Sequence, residues 1–376
     1  MMEGIVNIGI IGCGWITEYA HVPALVKESR CRVVSLFDSD YRKVEKLGKK
    51  WGIPNTYNDL RHFLNSGVDA VIIATPNAFH VKYTMEALKK GIHVLCEKPV
   101  AFHVEEIKQI RQILQAGNVV YVPGFVNRWR EDIQKFYQII REEQVGKIVR
   151  MEAGWLRKAG VPRPGTWFTN RELAGGGVLT DLGSHIADIC LFCLGNREPV
   201  SYKLESAICD DEQIKKTGGA DWFLKKDTSL FDMDVEDSII ADVMFKDDVE
   251  LQMRLSWLAP IEADCTYFKI YGTQGGILLK TLFGFSTQRL WEKDILEITG
   301  NGVKTELIFN EESNSARHAF EKMISYFAEA VINRKAGFTD IMDAQRTVSL
   351  IENLYMNENR GALKNKDNIV PDWLGV

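Results

Sequence analysis

The residues best suited to do chemistry are a lysine and a histidine, each set in a telling pattern. Val94-Leu95-Cys96-Glu97-Lys98-Pro99 reads as an apolar strand that ends in a lysine pinned by proline. An ammonium directly after a buried run is costly unless it has a task or a partner. In open α/β sheets ligands sit outside the carboxyl ends of strands, where such a lysine reaches cofactor and substrate. Further on, Gly175-Gly176-Gly177 precedes Val178-Leu179-Thr180-Asp181-Leu182-Gly183-Ser184-His185-Ile186-Ala187-Asp188. A helix beginning after the glycines places Asp181, His185 and Asp188 at i, i+4 and i+7, on one face. An imidazole that titrates near neutral pH, beside a carboxylate, is suited to take an alcohol proton. The triple glycine allows close approach of backbone or ligand.

A third pattern names the cofactor class. Gly12-Cys13-Gly14-Trp15-Ile16-Thr17 ends one apolar run and opens a helix. Two glycines there permit a tight turn and close approach to a pyrophosphate. Thr17 stands where a third glycine or alanine is usual, which predicts slightly looser helix–strand packing. Asp38 closes the next apolar run, where a carboxylate accepts hydrogen bonds from the adenosine ribose hydroxyls. The same charge repels a 2′-phosphate, so NAD is expected over NADP, with Arg42 the only nearby base.

These residues need a scaffold, and the first 125 residues supply it. Short apolar strands (Val6–Gly12, Arg32–Asp38, Asp69–Pro76, Ile92–Glu97, Val119–Phe125) alternate with helices near Ala78–Lys90 and Val104–Ala116. That alternation predicts a parallel sheet covered on both faces. Gly91 and Gly117 mark helix ends, and a helix near Glu131–Gln144 ends at Gly146. Beyond Lys147 the period drops to two. Val249, Leu251, Met253, Leu255 and Trp257 alternate with Glu250, Gln252, Arg254 and Ser256, a strand with one apolar face. Turns at Lys246-Asp247-Asp248 and Gly272–Gly276 join apolar runs into a mostly antiparallel sheet. Residues 210–236 read as an insertion or lid, with Trp222, Phe223 and Phe231 as packing anchors. A last helix is expected near Ile341–Met356. The expected divisions are 1–125, 126–340 and 341–376.

Composition excludes other classes. The 376 residues are 45% hydrophobic and 26% charged, with a net charge of −5 and no basic block, which argues against nucleic acid or an anionic membrane as partner. No apolar run in the sequence reaches spanning length, and Glu3 and Asn7 interrupt any signal-peptide core. Seven scattered cysteines read as reduced thiols in a cytoplasmic protein. Cys190 and Cys193 read as core packing, not metal ligands, and burial is the expected state of Cys13 and Cys96. Arg128, Arg130, Arg157, Lys158, Arg163 and Arg171 precede the histidine motif, and guanidinium forks suit phosphate or carboxylate. They point mildly to a sugar phosphate, sugar acid or nucleotide sugar.

Taken together, the glycine loop, Ala74-Thr75-Pro76-Asn77-Ala78-Phe79-His80, Cys96-Glu97-Lys98-Pro99 and the glycine–aspartate–histidine motif at 175–188 resemble the Gfo/Idh/MocA oxidoreductases. The resemblance spans nearly the whole chain. It implies an N-terminal Rossmann domain, doubly wound, and a C-terminal α+β domain whose large open sheet supports a homodimer or homotetramer. It implies that Lys98 holds the reacting hydroxyl and contacts the nicotinamide ribose, that Asp181 orients the substrate and that His185 is the general base. Gly12, Gly14, Trp15, Ile16, Asp38, Thr75, Pro76, Asn77, His80, Glu97, Lys98 and Trp167 are the expected cofactor contacts. Lys98, Asn127, Arg128, Arg157, Asp181 and His185 are the expected substrate contacts. No metal is expected. The activity implied is NAD-dependent oxidation of a secondary hydroxyl of a sugar, inositol or derivative. A glycosidase that oxidises its sugar transiently, and a non-catalytic dinucleotide sensor, remain as alternatives.

Overall fold

Six short strands form a parallel sheet in the N-terminal half, and the side chains of four of them, Val6–Ile11, Ala70–Ile73, His93–Glu97 and Tyr121–Gly124, are nearly all buried. A computed structural model of the chain describes residues 4–162, 165–209, 233–300 and 302–375. The strands are β1 (Val6–Ile11), β2 (Cys31–Phe37), β3 (Asn55–Tyr57), β4 (Ala70–Ile73), β5 (His93–Glu97) and β6 (Tyr121–Gly124), in the order β3-β2-β1-β4-β5-β6. All four β4 residues are inaccessible to water, as a sheet covered on both faces requires. Helices α1 (Val22–Lys27), α2 (Tyr41–Trp51), α3 (Leu60–Leu64), α4 (His80–Lys89) and α5 (Val104–Ala116) connect the strands. Contacts gather the residues up to Trp129 with Arg317–Val348 into one unit, and Arg130–Ala316 with the residues from Ser349 into a second. The sequence instead places 317–340 in the second domain.

The second unit is built on a nine-stranded mixed sheet. Its strands are β7 (Ile148–Leu156), β8 (Pro199–Ala207), β9 (Ser238–Phe245), β10 (Glu250–Ser256), β11 (Cys265–Gly272), β12 (Gly275–Thr281), β13 (Ile295–Gly300), β14 (Val303–Ile308) and β15 (Glu358–Arg360). The order is β14-β13-β12-β11-β7-β10-β9-β8-β15, antiparallel except at β7–β10 and β8–β15. The expected turn at Lys246–Asp248 joins β9 to β10, and Thr273-Gln274 joins β11 to β12. Helices α6 (Glu131–Arg141), α7 (Arg171–Ala174) and α8 (Val178–Leu194) follow in chain order. Ile133 and Phe136 of α6 and Ile186 and Ile189 of α8 bury the inner sheet face in one core with Met253, Leu255 and Trp257. The stretch Arg171–Leu194 is long and apolar enough to cross a membrane, but most of it is buried inside this unit, as the core helix of a globular domain is. On the outer face Trp373 packs edge-on against Tyr267 and donates to Glu152.

Two further helices close the chain, α9 (Ala316–Asn333) and α10 (Ile341–Met356). The sequence predicts α10 but not α9. Ala319, Phe320, Met323, Ile324 and Phe327 of α9 join Ile8, Ile10, Leu36 and Ile72 in one core of the first unit. Ala344 and Val348 of α10 join Ile11, Val71 and Ile73 in the core on the other face. Several expected boundaries shorten. β1 stops at Ile11 because Gly12 turns away with φ +100°, and α6 ends at Arg141, three residues early. Gly117 does follow α5, but in an extended conformation. Most of the expected 210–236 insertion, with Trp222, Phe223 and Phe231, lies outside the described residues. In its last part Val235 and Glu236 are buried.

Candidate active site

In the first unit the glycine loop and Asp38 assemble into one structure. A Cβ on Gly12 would lie 2.4 Å from the Ala74 carbonyl oxygen, so β1 and the β4 loop touch there because the residue is glycine. A Cβ on Gly14 would meet nothing within 4 Å, which leaves that backbone open to a ligand. Between them the Cys13 amide donates to Asp38 Oδ2 at 2.8 Å, while Asp38 Oδ1 accepts from the Asp40 amide at 2.9 Å. The carboxylate is thus anchored beside the loop with lone pairs left over, as a ribose-binding group requires. Arg42 does not offset it, because its guanidinium forks onto Asp40 at 3.0 Å through both Nε and Nη2. The loop and carboxylate fit an adenine dinucleotide without a 2′-phosphate.

Thr17 corrects the expectation of looser packing. It is fully buried, and its hydroxyl donates to the Gly12 carbonyl at 2.6 Å. The helix over 15–27 widens into a π-turn at Thr17–His21, so the larger side chain is accommodated and bonded. Trp15 is exposed and stacks on Tyr19, whereas Ile16 packs against the core. Burial, with Asp38 alongside, pushes the Cys13 thiol up to about 12, and burial does the same to Cys96. Both are inert core thiols, as expected.

Thr75 and Pro76 are half-buried at the end of β4 and Asn77 is buried. His80 is a tie beneath that loop. Its Nδ1 lies 2.7 Å from the Pro99 carbonyl and its Nε2 lies 2.9 Å from the Thr75 carbonyl. The imidazole therefore holds the Thr75 loop to the turn that carries Lys98. Burial lowers its pKa, while the two carbonyls pull the other way. Glu97 is buried at the end of β5, with Oε1 2.8 Å from His21 Nε2 and Oε2 accepting the Lys98 amide at 3.2 Å. Lys98 is half-buried directly beyond the strand and precedes a cis proline. His21 carries no motif that the sequence could reveal, because its partner lies 76 residues away. Asn127 and Arg128 are both buried, and Arg128 pairs with Asp343 at 3.0 Å.

In the second unit α8 forms as expected and starts directly after the triple glycine. Asp181 and His185 are half-buried on it, while Asp188 is fully buried, so this is no solvated face. Asp181 Oδ2 accepts the Trp257 indole N–H at 3.1 Å, and the His185 ring lies 5.8 Å from that of Trp155. The glycines admit protein rather than ligand. A Cβ on Gly177 would lie 1.9 Å from the Glu236 carbonyl oxygen, and one on Gly176 would lie 2.0 Å from the Tyr355 hydroxyl. Trp167 is half-buried and stacks on Phe168.

The arginine cluster is largely neutralised from within. Arg130 is buried against Asp132 and Asp294, Arg157 lies 3.6 Å from Asp264, and Arg171 lies 3.7 Å from Glu358. Asp264 also accepts the Lys158 amide. Arg163 lies outside the described residues. The hint toward an anionic substrate weakens, since these guanidiniums already have carboxylates. Among the described residues, no group of three or more His, Cys, Asp or Glu side chains could hold a metal.

Comparison with known proteins agrees with the fold and the loop. Residues 6–125 match the oxidoreductase family with an NAD-binding Rossmann fold, and residues 133–278 match the GFO/IDH/MocA C-terminal domain. A putative UDP-kanosamine synthase oxidoreductase subunit from Amycolatopsis mediterranei is 29% identical over 95% of this chain and 98% of its own. A D-glucoside 3-dehydrogenase from Escherichia coli is 31% identical, over 52% of this chain and 56% of its own. A 3-ketoreductase from Actinomadura kijaniata, solved with TDP-benzene and NADP, shares the fold with a TM-score of 0.76. It is 19% identical and aligns over 95% of this chain and 99% of its own. The chain belongs to the Gfo/Idh/MocA family and is an oxidoreductase with NAD as its primary cofactor.

Proposed function

We propose that the protein oxidises the C3 hydroxyl of an uncharged glucoside to a ketone, with NAD⁺ as acceptor. The observation that carries this reading is α8, which holds Asp181 and His185 half-buried on one helix behind a fixed glycine turn. The D-glucoside 3-dehydrogenase among the relatives supports the carbon and the sugar. The internal pairing of Arg128, Arg130, Arg157 and Arg171 supports a neutral substrate. When bound, NAD⁺ supplies the hydride acceptor. His185 takes the hydroxyl proton as the C–H bond breaks, Lys98 stabilises the oxygen as its charge grows, and Asp181 orients the sugar. The anchored Asp38 directs the choice of NAD⁺ over NADP⁺.

The test is NADH appearance with methyl β-D-glucoside, glucose, glucose 6-phosphate, UDP-glucose, glucuronate and myo-inositol, with NADP⁺ in parallel. The neutral glucoside is expected to turn over and to yield the 3-keto product. Lys98→Ala and His185→Ala should each lower kcat by about 10²-fold or more, the usual weight of a positioned acid or base. For His185→Ala, NAD⁺ affinity should stay within about twofold, since the change touches neither the glycine loop nor Asp38. Turnover confined to the phosphate or the nucleotide sugar would overturn the neutral-substrate reading. Aglycone release without net NADH would turn the reading to the glycosidase.

A further inference from the structure

Glu236 is a carboxylate 1% exposed, bonded to the start of α8 and to one tyrosine. Its Oε1 accepts the Gly177 amide at 3.0 Å, the Leu179 amide at 3.1 Å and the Tyr355 hydroxyl at 2.8 Å. Its Oε2 shares the Gly177 amide at 3.1 Å, and its own carbonyl accepts the Val178 amide at 2.9 Å. Tyr355 in turn lies 2.9 Å from the Thr180 hydroxyl and against Gly176. Three successive backbone N–H groups at the helix start, and the side chain of the residue after them, are thereby fixed from outside the helix. Asp181 is the next residue, and His185 stands one turn further along.

We propose that Glu236 and Tyr355 form a clasp that positions α8, so that Asp181 and His185 are held in their working geometry. Glu236 is a positioning residue and touches no substrate. The clasp also accounts for two of the three glycines, because any side chain at 176 or 177 would displace Tyr355 or the Glu236 backbone. Burial raises the Glu236 pKa despite the donors around it. A carboxyl with a raised folded pKa favours folding when protonated and loses that contribution as pH rises through the folded value.

The proposal rests on the reading of Asp181 and His185 as catalytic, so its test includes a measurement independent of turnover. Glu236→Ala, Glu236→Gln and Tyr355→Phe are compared with wild type by hydrogen–deuterium exchange over residues 175–185, by kcat and KM, and by NAD⁺ affinity. Glu236→Gln keeps an oxygen where Oε1 accepts three donors. It should hold kcat within about threefold of wild type. Glu236→Ala should speed exchange at Gly177–Asp181 and lower kcat by about 10- to 100-fold, the range a displaced catalytic group produces. NAD⁺ affinity should stay unchanged. Tyr355→Phe should show both effects in smaller measure, and it decides the matter if Glu236→Ala does not fold. Unchanged exchange in both Glu236→Ala and Tyr355→Phe would sink the clasp itself. Faster exchange with wild-type kcat would sink its positioning role. A wild-type enzyme silent on every sugar would count against the functional reading, while the exchange data would still decide the clasp.

Discussion

Asp38 carries two backbone N–H bonds before any ligand arrives, one from the glycine loop and one from its own turn. Its position is therefore fixed, and its charge acts on whatever approaches the loop. A 2′-phosphate brought beside it suffers like-charge repulsion. Arg42, which could relieve that repulsion, is held by Asp40. The double variant Asp38→Asn with Asp40→Ala removes the repelling charge and releases the guanidinium. The ratio of kcat/KM for NADP⁺ to that for NAD⁺ should rise by about tenfold or more, a shift of about 1.4 kcal/mol. An unchanged ratio would show that cofactor choice is set elsewhere. Asp38 was legible in the sequence because its signal is local, a carboxylate at the end of the second strand. His21 and Glu236 were not, because each acquires its meaning from a partner 57 or more residues away.

At the scale of elements the same rule decides what could be read. α8 and β10 were legible because each satisfies its own periodicity, 3.6 or two, on a single face. β3 and β15 are three-residue polar strands held by their neighbours, and no local pattern marks them. α9 is a different kind of omission. Apolar residues at 319/320, 323/324, 327/328 and 330/331 carry the helical period, and all are buried. Their significance lies in where they pack, against β1, β2 and β4 far earlier in the chain. Phe327, inaccessible to water in that core, gives the direct test. Phe327→Ala should destabilise the protein by about 3–5 kcal/mol, the usual cost of truncating a buried phenylalanine. Chemical denaturation reads this directly. A loss below about 1 kcal/mol would mean that α9 contributes little to the fold of the first unit.

At the scale of the molecule, the chain leaves the first unit at Trp129 and returns to it at Arg317. A fragment cut where the sequence suggests, near 125–129, therefore keeps the whole six-stranded sheet and loses part of its cover. Phe320, Met323, Ile324, Phe327 and Val331 would be absent from the core that holds Ile8, Ile10 and Ile72. Each buried side chain of this size contributes about 1.5–3 kcal/mol. Together they amount to about 10 kcal/mol, as much as the net stability of a typical domain. The fragment ending at Trp129 should show no cooperative thermal transition and should bind a dye specific for exposed apolar surface. Joining residues 317–348 to it through a flexible linker should restore a cooperative transition and abolish dye binding, since the missing helix then returns by an intramolecular route. Cooperative unfolding of the short fragment would show that the sheet and its first five helices suffice. The returning segment would then owe its place to something other than the stability of the nucleotide-binding unit.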